Sequence, residues 1–263
     1  MAGSDSAPPA GAGRRLLVGF GNFCFRYRDA LFPIVFLALV LASPPGTLYG
    51  SRTWDRLLDA LGIAVALAGQ ILRALVIGLA YIRRGGLNKR VHADTLVVEG
   101  LFAHSRNPLY FGNFLAFVGF SLIHNSALCY LVGILFFALA YLAIVAAEEE
   151  FLRRRFGADF DAYCRKVNRF LPSLRGLGAT ITGRTFDWRR LLRKEYGSTF
   201  AGATVILSLL IWDDVRRFGY QASRGTVLVA LAGWALMIPA YLAARRLKKR
   251  GRLGTGTEES AGA

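Results

Sequence analysis

Long apolar segments alternate with clusters of arginine and lysine along this chain. Of its 263 residues, 54% are hydrophobic, and the mean hydropathy of +0.39 is high for an ordinary soluble domain. Since a helix needs about 20 apolar residues to cross a bilayer, we predict an all-α, polytopic membrane helical bundle. Its six predicted membrane segments cover approximately residues 30–48, 57–82, 108–123, 127–147, 198–214 and 225–244.

The net charge of +16 lies mostly in the segments that connect the predicted helices. Such a charge in a soluble protein would indicate nucleic acid as a partner. Here the basic blocks alternate with connections that hold few basic residues, which is the pattern of the positive-inside rule. We therefore expect a multi-pass protein with both termini in the cytoplasm. Anionic lipid head groups are its expected partners, and nucleic acid is not.

Composition also divides the chain into parts. We predict a disordered, basic N-terminal segment (1–28), a first span with its loop (29–56), a membrane core (57–172), a basic connector (173–196), two further C-terminal spans (197–250) and a flexible tail (251–263). The three cysteines, Cys24, Cys129 and Cys164, lack the spacing of a disulfide framework or a zinc site. We therefore expect no metal centre.

A polar loop leads into the third predicted span. Its residues of interest are Gly100, Leu101, Arg106, Asn107, Pro108, Tyr110 and Gly112. Asparagine is a favourable N-cap and proline suits the first helical turn, so the Asn-Pro pair has a structural interpretation as the start of a helix. It also has a functional one, because the amides at a helix start bind a carboxylate or phosphate. The preceding arginine would add a bidentate contact.

An acidic cluster, Glu148-Glu149-Glu150, follows the fourth predicted span. Glu149 with Arg153 and Glu150 with Arg154 have the i,i+4 spacing of helical ion pairs, which would explain both glutamates structurally. Glu148 has no basic residue at that spacing, so its carboxylate is freer to bind an ammonium or ribose hydroxyls. Because one membrane hairpin separates the loop from the cluster, we expect both at one cytoplasmic face, as two halves of a cofactor pocket.

Two further residues are candidates for catalysis. Arg73 lies deep in the second predicted span, where a charged side chain is costly and indicates a functional site or a buried ion pair. We expect it to orient an acceptor carboxylate or phosphate, or to pair with Glu148; snorkelling toward the cytoplasm is the structural alternative. His104 is the histidine of the polar loop, and it is either a general base or simply solvated.

The loop and the cluster together resemble a known signature. The loop matches G-[PL]-[YF]-x-x-x-R-[HN]-P-x-Y-x-G from Gly100 to Gly112, and the stretch from Glu148 to Pro172 matches E-E-x-x-L…F-G-x-x-[YF]-x-x-Y…V-x-R-x-x-P. This signature is similar to that of the isoprenylcysteine carboxyl methyltransferase and phospholipid methyltransferase superfamily. Gly69 and Arg73 fit a weaker upstream G-x-x-x-R element, so the resemblance covers about residues 57–172. Asparagine 107 stands where the prenylcysteine enzymes usually have histidine.

The resemblance implies an integral-membrane methyltransferase that uses S-adenosylmethionine. Carried over by position, the cofactor would lie between the loop residues named above and the pair Glu148 and Glu149. The acceptor would be a lipid or isoprenoid that enters from the bilayer. We expect O-methylation of a carboxylate slightly more than N-methylation of a phospholipid amine, because an amine needs a general base and none other than His104 is in sight. The alternatives are an NADPH-dependent membrane reductase of related architecture and a non-catalytic membrane scaffold.

Overall fold

The structure is a computed structural model that describes residues 11–79, 84–87, 90–93 and 95–254. Its helices are α1 (Ala12–Ala42), α2 (Arg52–Leu79), α3 (Pro108–His124), α4 (Ile134–Lys166), α5 (Leu177–Thr182) and α6 (Trp188–Lys249). A 3₁₀ turn (Gly100–Ala103) precedes α3, and a π-helical segment (Cys129–Gly133) runs into α4. The predicted helical fold is confirmed.

A small antiparallel hairpin is the exception to the helical fold. It pairs β1 (Arg84–Leu87) with β2 (Arg90–Ala93), and Arg84 lies opposite Ala93 in its register. The sequence analysis did not predict these strands, because each has only four residues and they fall in a basic block between two apolar segments.

Among the described residues, three helices are long and apolar enough to cross a membrane, namely α2, the Cys129–Lys166 helix that contains α4, and α6; α3 is apolar but shorter. α6 turns sharply at Gly219, whose φ of +79° favours glycine. The two arms of α6 then pack on each other, with the rings of Phe200 and Tyr241 stacked at 4.5 Å between centroids. α6 therefore contains both predicted C-terminal segments, 198–214 and 225–244.

The first helix differs from its prediction at both ends. α1 begins at Ala12, so residues 12–28 are helical where we predicted a disordered segment. The reason is packing, because Gly21 lies directly against the backbone of Ala143 on α4. α1 ends at Ala42, before the Pro44-Pro45 pair, and the predicted span 30–48 was too long. Residues 1–10 and 255–263, to which parts of the predicted terminal segments belong, lie outside the described residues.

α2 and α3 pack closely through four glycines. Gly62 and Gly69 on α2 face Gly119 and Gly112 on α3. A Cβ added at Gly62 would lie 2.6 Å from the carbonyl oxygen of Gly119, and one at Gly112 would lie 2.8 Å from that of Gly69. Small residues allow this close approach of two membrane helices. The crossing also places Arg73 of α2 beside the first turns of α3.

Aromatic side chains hold α1 and α3 against α4. The rings of Phe117 and Phe137 stack at 3.8 Å between centroids, and Phe32 makes an edge contact with Tyr141 at 5.3 Å. These residues belong to one buried cluster. The cluster keeps the start of α3 near the part of α4 that carries the three glutamates, which is where the signature residues converge.

Candidate active site

The two halves of the sequence signature meet in the structure. Arg106, in the loop before α3, has Nη1 3.3 Å from Oε1 of Glu149 on α4. Arg169, just after α4, approaches the same carboxylate with Nη2 2.6 Å from Oε2 and Nε 3.1 Å from Oε1. Only 10% of the Glu149 side chain is exposed. Glu149 is thus a buried carboxylate held between two guanidiniums.

The chain that follows α4 binds the loop through a series of hydrogen bonds. They run from Arg106 N to Asn168 O (2.9 Å), from Ser105 Oγ to Phe170 O (2.7 Å), from Asn107 Nδ2 to Arg169 O (3.0 Å) and from Ser173 N to His104 O (2.9 Å). α4 kinks at Gly157, and beyond the kink the Tyr163 hydroxyl donates to Phe102 O at 2.6 Å. The end of α4 and residues 168–173 therefore cover the loop and fix its conformation.

Within the part of the chain that the structure describes, α3 begins without a side-chain cap. Asn107 occupies the N-cap position and Pro108 the first turn, as predicted, but the Asn107 amide is directed to Arg169 O instead of the helix. Asn107 and Pro108 are both buried. A buried helix start whose amides lack a side-chain acceptor is suited to an anion. Arg106 offers a further donor, because its Nε is buried and has no hydrogen-bond partner within the described residues.

Tyr110 connects α3 to both neighbouring helices. Its hydroxyl donates to Oε1 of Glu148 at 2.6 Å and accepts from Nη1 of Arg28 at 3.1 Å. Glu148 is buried, like Glu149. With Arg106 and Arg169, the described residues of the site therefore include three guanidiniums and two carboxylates, which among themselves leave one positive charge. This charge balance suits a ligand that carries a carboxylate.

The i,i+4 prediction is confirmed for one glutamate and wrong for the other. Glu150 pairs with Arg154 at 2.9 Å. Arg153 pairs with Asp161 at 2.9 Å and not with Glu149, because the chain beyond the kink brings Asp161 within reach. Glu149 is consequently left to Arg106 and Arg169.

Three loop residues assigned to the cofactor contact the protein itself. Leu101 is 2% exposed and packs with Val76 and Leu79 in a buried cluster. Gly100 has a φ of +63°, which favours glycine, and Gly112 lies in the glycine crossing of α2 and α3. These positions have clear structural functions, and their contact with a cofactor stays a prediction.

A cavity of about 340 Å³ opens beside the 3₁₀ turn. Its lining includes Gly100, Thr180 and the ion pair between Arg184 and Glu99, whose Nη2 and Oε2 atoms are 2.9 Å apart. Arg106 does not line it. The site around Arg106 and Glu149 is therefore not part of this cavity.

His104 is buried and hydrogen bonded through both ring nitrogens. Nδ1 lies 2.8 Å from Ser173 O, and Nε2 lies 2.9 Å from Thr180 Oγ1. A carbonyl oxygen can only accept, so Nδ1 donates to Ser173 O, and Nε2 is hydrogen bonded to the Thr180 hydroxyl. The arrangement stabilises the loop. His104 is therefore buried and not solvated, and its role as a general base stays a prediction.

Arg73 is paired with a carboxylate from the C-terminal part of the chain. Its Nη2 lies 2.6 Å from Oε1 of Glu195, and its Nε lies 3.0 Å from Oε2. Nη1 donates to Oδ1 of Asn113, and Gln70 donates to Glu195 at 3.2 Å. The expected pairing with Glu148 is therefore wrong, because Glu195 at the start of α6 fills that position. A role of Arg73 in catalysis stays a prediction.

Three polar residues of this region were absent from the predicted site. Arg169 stands in the second half of the signature, so the motif could have identified it. Arg28 and Glu195 belong to charged blocks that we interpreted only in terms of membrane orientation and connection. Arg28 pairs with Tyr110, which is 82 positions away in the sequence, and Glu195 pairs with Arg73, which is 122 positions away. These pairs result from helix packing, which no local sequence pattern shows.

Comparisons with known proteins identify the family of the chain. A family model described as phospholipid methyltransferase matches residues 59–159. The cobalt-zinc-cadmium resistance protein CzcN of Cupriavidus metallidurans is 33% identical over 184 residues, which cover 66% of this chain and 76% of the relative. The nickel-cobalt-cadmium resistance protein NccN of Alcaligenes xylosoxydans xylosoxydans is 28% identical over 157 residues, or 58% of this chain and 68% of the relative.

A characterised class of enzyme is also similar to the chain. The protein-S-isoprenylcysteine O-methyltransferase of Xenopus laevis is 30% identical over 128 residues, which cover 48% of this chain and 43% of that enzyme. No solved structure matches. The signature, the apolar helices and these similarities define an integral membrane methyltransferase. The chain belongs to the phospholipid methyltransferase and isoprenylcysteine carboxyl methyltransferase superfamily.

Proposed function

We propose that this protein transfers a methyl group from S-adenosylmethionine to a lipidic acceptor at the cytoplasmic face of a membrane. The observation that carries the proposal is the buried contact between Arg106 and Glu149, which joins the two halves of the family signature. S-adenosylmethionine would supply a methyl group activated by a sulfonium, together with an amino-acid carboxylate and ammonium.

The side chains of the site fit those two charged groups. The uncapped start of α3 and the unpaired Nε of Arg106 suit the carboxylate. Glu148 suits the ammonium, and the Tyr110 hydroxyl orients it through a 2.6 Å hydrogen bond. Arg169 holds Glu149, and Glu149 in turn holds the guanidinium of Arg106. The two residues proposed to bind the cofactor are thereby each held in place by a neighbour, Glu148 by Tyr110 and Arg106 by Glu149.

The contribution of the chain to the reaction is orientation and the exclusion of water. Methyl transfer is an in-line displacement, so the rate depends on how well the acceptor and the methyl group are aligned. Asn107, Glu148 and Glu149 are each at least nine-tenths buried, which strengthens electrostatic contacts at the site. No proton has to be supplied for the displacement itself.

We favour a lipid or isoprenoid carboxylate as the acceptor over a phospholipid amine. An amine has to lose a proton before it can attack, whereas a carboxylate is already ionised at neutral pH. Both ring nitrogens of His104 are engaged, so the histidine of the loop is poorly placed to remove that proton. Arg73 is neutralised by Glu195, which makes it a weaker ligand for an acceptor carboxylate than the sequence suggested.

The names of two relatives concern resistance to cobalt, zinc, cadmium and nickel. Within the described residues, no group of three or more His, Cys, Asp and Glu side chains could hold a metal ion. The proposal for this chain therefore rests on the family signature and on the geometry of its residues.

Purified protein should bind labelled S-adenosylmethionine and not NADPH, and it should transfer the label to an extracted lipid pool. For a carboxylate acceptor, the transfer rate should change little between pH 6 and pH 9, because the acceptor stays ionised throughout. For an amine acceptor, the rate should rise with pH as the ammonium loses its proton. Scintillation counting of the extracted lipid at each pH measures both the transfer and its pH dependence.

The same assay separates the alternatives. Binding of NADPH in place of S-adenosylmethionine would replace the methyltransferase with the membrane reductase. Binding of neither would leave the non-catalytic scaffold. A rate that rises with pH would retain the methyltransferase but change the acceptor to an amine.

We also propose that the signature face and both termini lie in the cytoplasm. The basic blocks support this orientation, and the loop before α3 contacts the end of α4, so both belong to one face.

A cysteine introduced at the exposed Tyr49, between α1 and α2, should react with an impermeant maleimide applied from outside. A cysteine at the exposed Leu174 should react only after the membrane is opened, and wild-type protein measures the background of Cys24, Cys129 and Cys164. The reverse labelling pattern would contradict the orientation.

A further inference from the structure

A second cavity lies at the end of the bundle opposite the signature residues. It has a volume of about 350 Å³ and is formed by the first turns of α2 and by both arms of α6. Two arginines of α2, two leucines of the first arm and five mostly small residues of the second arm line it. They are Arg52, Arg56, Leu207, Leu210, Ala222, Gly225, Thr226, Val229 and Ala230. The other end of α2, at Leu79, contacts Leu101 of the signature loop. The cavity is therefore separated from the proposed active site by the length of α2.

The mouth of this cavity carries a positive charge. Nη2 of Arg56 lies 2.8 Å from Oδ2 of Asp214, and Nη2 of Arg52 lies 3.5 Å from the same oxygen. The Thr226 hydroxyl accepts from Nη2 of Arg56 at 2.9 Å and donates to Asp214. The Arg52 and Arg56 side chains are 44% and 42% exposed, while Asp214 is only 6% exposed. Two accessible guanidiniums thus share one buried carboxylate, and the nearby Asp59 is paired with Arg217 at 3.5 Å, which leaves one positive charge among the described residues at the mouth.

The body of the cavity is apolar and opens to the outer surface of the helical bundle. Leu207 and Leu210 form one wall, and Val229, with 71% of its surface exposed, forms the opposite edge. Gly225 leaves the space between them open, because a Cβ added there would meet no atom within 4 Å. A basic mouth above an open apolar channel matches an amphiphile with an anionic head and a hydrocarbon chain.

We propose that this cavity binds an anionic phospholipid, with its phosphodiester on Arg52 and Arg56 and one acyl chain between the arms of α6. The positive charge at the mouth favours a head group that has no cation of its own. An ammonium on the head group would be repelled by the two guanidiniums, and Asp214 is already paired with both of them. Arg216 and Arg224, which stand before and after the break at Gly219, add to the positive charge of this end of α6, and each lies near an aromatic ring. This proposal is independent of the methyltransferase activity.

Two variants test the cavity without touching the signature residues. Gly225→Leu fills the open channel, and Gly197→Leu is its matched control on α6, since a Cβ at Gly197 also meets nothing within 4 Å and Gly197 does not line the cavity. Arg52→Gln removes the guanidinium that makes the longer contact with Asp214 and leaves Arg56 in place. Thermal unfolding in a neutral detergent shows whether each variant is folded.

Full-length protein in neutral detergent is mixed with phosphatidylglycerol or phosphatidylcholine, and retained lipid is counted by native mass spectrometry. We expect phosphatidylglycerol to be retained selectively by the wild type and by Gly197→Leu. Its apparent affinity should fall roughly tenfold in Gly225→Leu and in Arg52→Gln, the loss expected for one charge-assisted contact or for exclusion of the chain. The proposal would be overturned if the wild type retained the two lipids equally, or if Gly225→Leu retained phosphatidylglycerol fully. It would also be overturned if oleate, added as a fatty acid without a phosphodiester, were retained more strongly. A protein dimer that Gly225→Leu dissociates would assign the cavity to a second copy of the chain and would overturn it too.

Discussion

Replacing Glu149 with alanine is expected to reduce the affinity for S-adenosylmethionine at least tenfold and to remove most methyl transfer. The carboxylate lies between Arg106 and Arg169, so its loss leaves two guanidiniums without a counter-charge and releases Arg106 from its position. A charge-assisted hydrogen bond contributes about 1.5–3 kcal/mol, which corresponds to roughly 10- to 150-fold in binding. Isothermal titration of the purified variant measures the loss.

Glu150→Ala is the matched control for this experiment. Glu150 is the next residue of α4, and its ion pairs with Arg14 and Arg154 lie at the surface, outside the site. Exposed pairs of this kind contribute less than about 1 kcal/mol, so cofactor affinity should stay within about a factor of two of the wild type. Arg106→Ala should weaken binding like Glu149→Ala. Wild-type affinity in both variants would mean that Arg106 and Glu149 only join the loop to α4.

The sequence predicted the two halves of the site because each half is a local pattern. The loop reads as a polar entry to a helix, and the glutamates read as an acidic exit from one, so one hairpin between them is enough to place both at one end of the bundle. The contact between Arg106 and Glu149 agrees with that reasoning. The start of α3 at Pro108 and the turn within α6 at Gly219 were likewise signalled by proline and by a break in apolar sequence.

The partners of the charged residues were not predictable in the same way. Arg153 stands four residues after Glu149 but binds Asp161, because the kink at Gly157 redirects the chain. Arg28 reaches Tyr110 only because α1 packs along α4 from its first turns, where we expected disorder. Such contacts depend on helix crossings, and the glycines that permit those crossings resemble any other glycine in a membrane segment.

Replacing Arg73 with methionine should destabilise the protein by about 3–5 kcal/mol, since it leaves the Glu195 carboxylate buried without its cation. Arg73 is 14% exposed and Glu195 only 5%, and the two are joined by contacts of 2.6 Å and 3.0 Å. Thermal unfolding in detergent should therefore show a large fall in melting temperature. Arg154→Met, which breaks an ion pair whose arginine is 77% exposed, is the matched control and should change the melting temperature little.

The double variant Arg73→Met/Glu195→Gln separates stability from catalysis. It removes both charges, and the new amide can still accept from Gln70, so most of the lost stability should return. If Arg73 also orients the acceptor, the double variant will regain stability and bind the cofactor with nearly normal affinity, but methyl transfer will stay absent. If Arg73 only secures α6 to α2, stability and methyl transfer will recover together. A single variant that keeps the wild-type melting temperature would contradict the buried pair itself, and Arg73 would then have to reach the aqueous face by snorkelling.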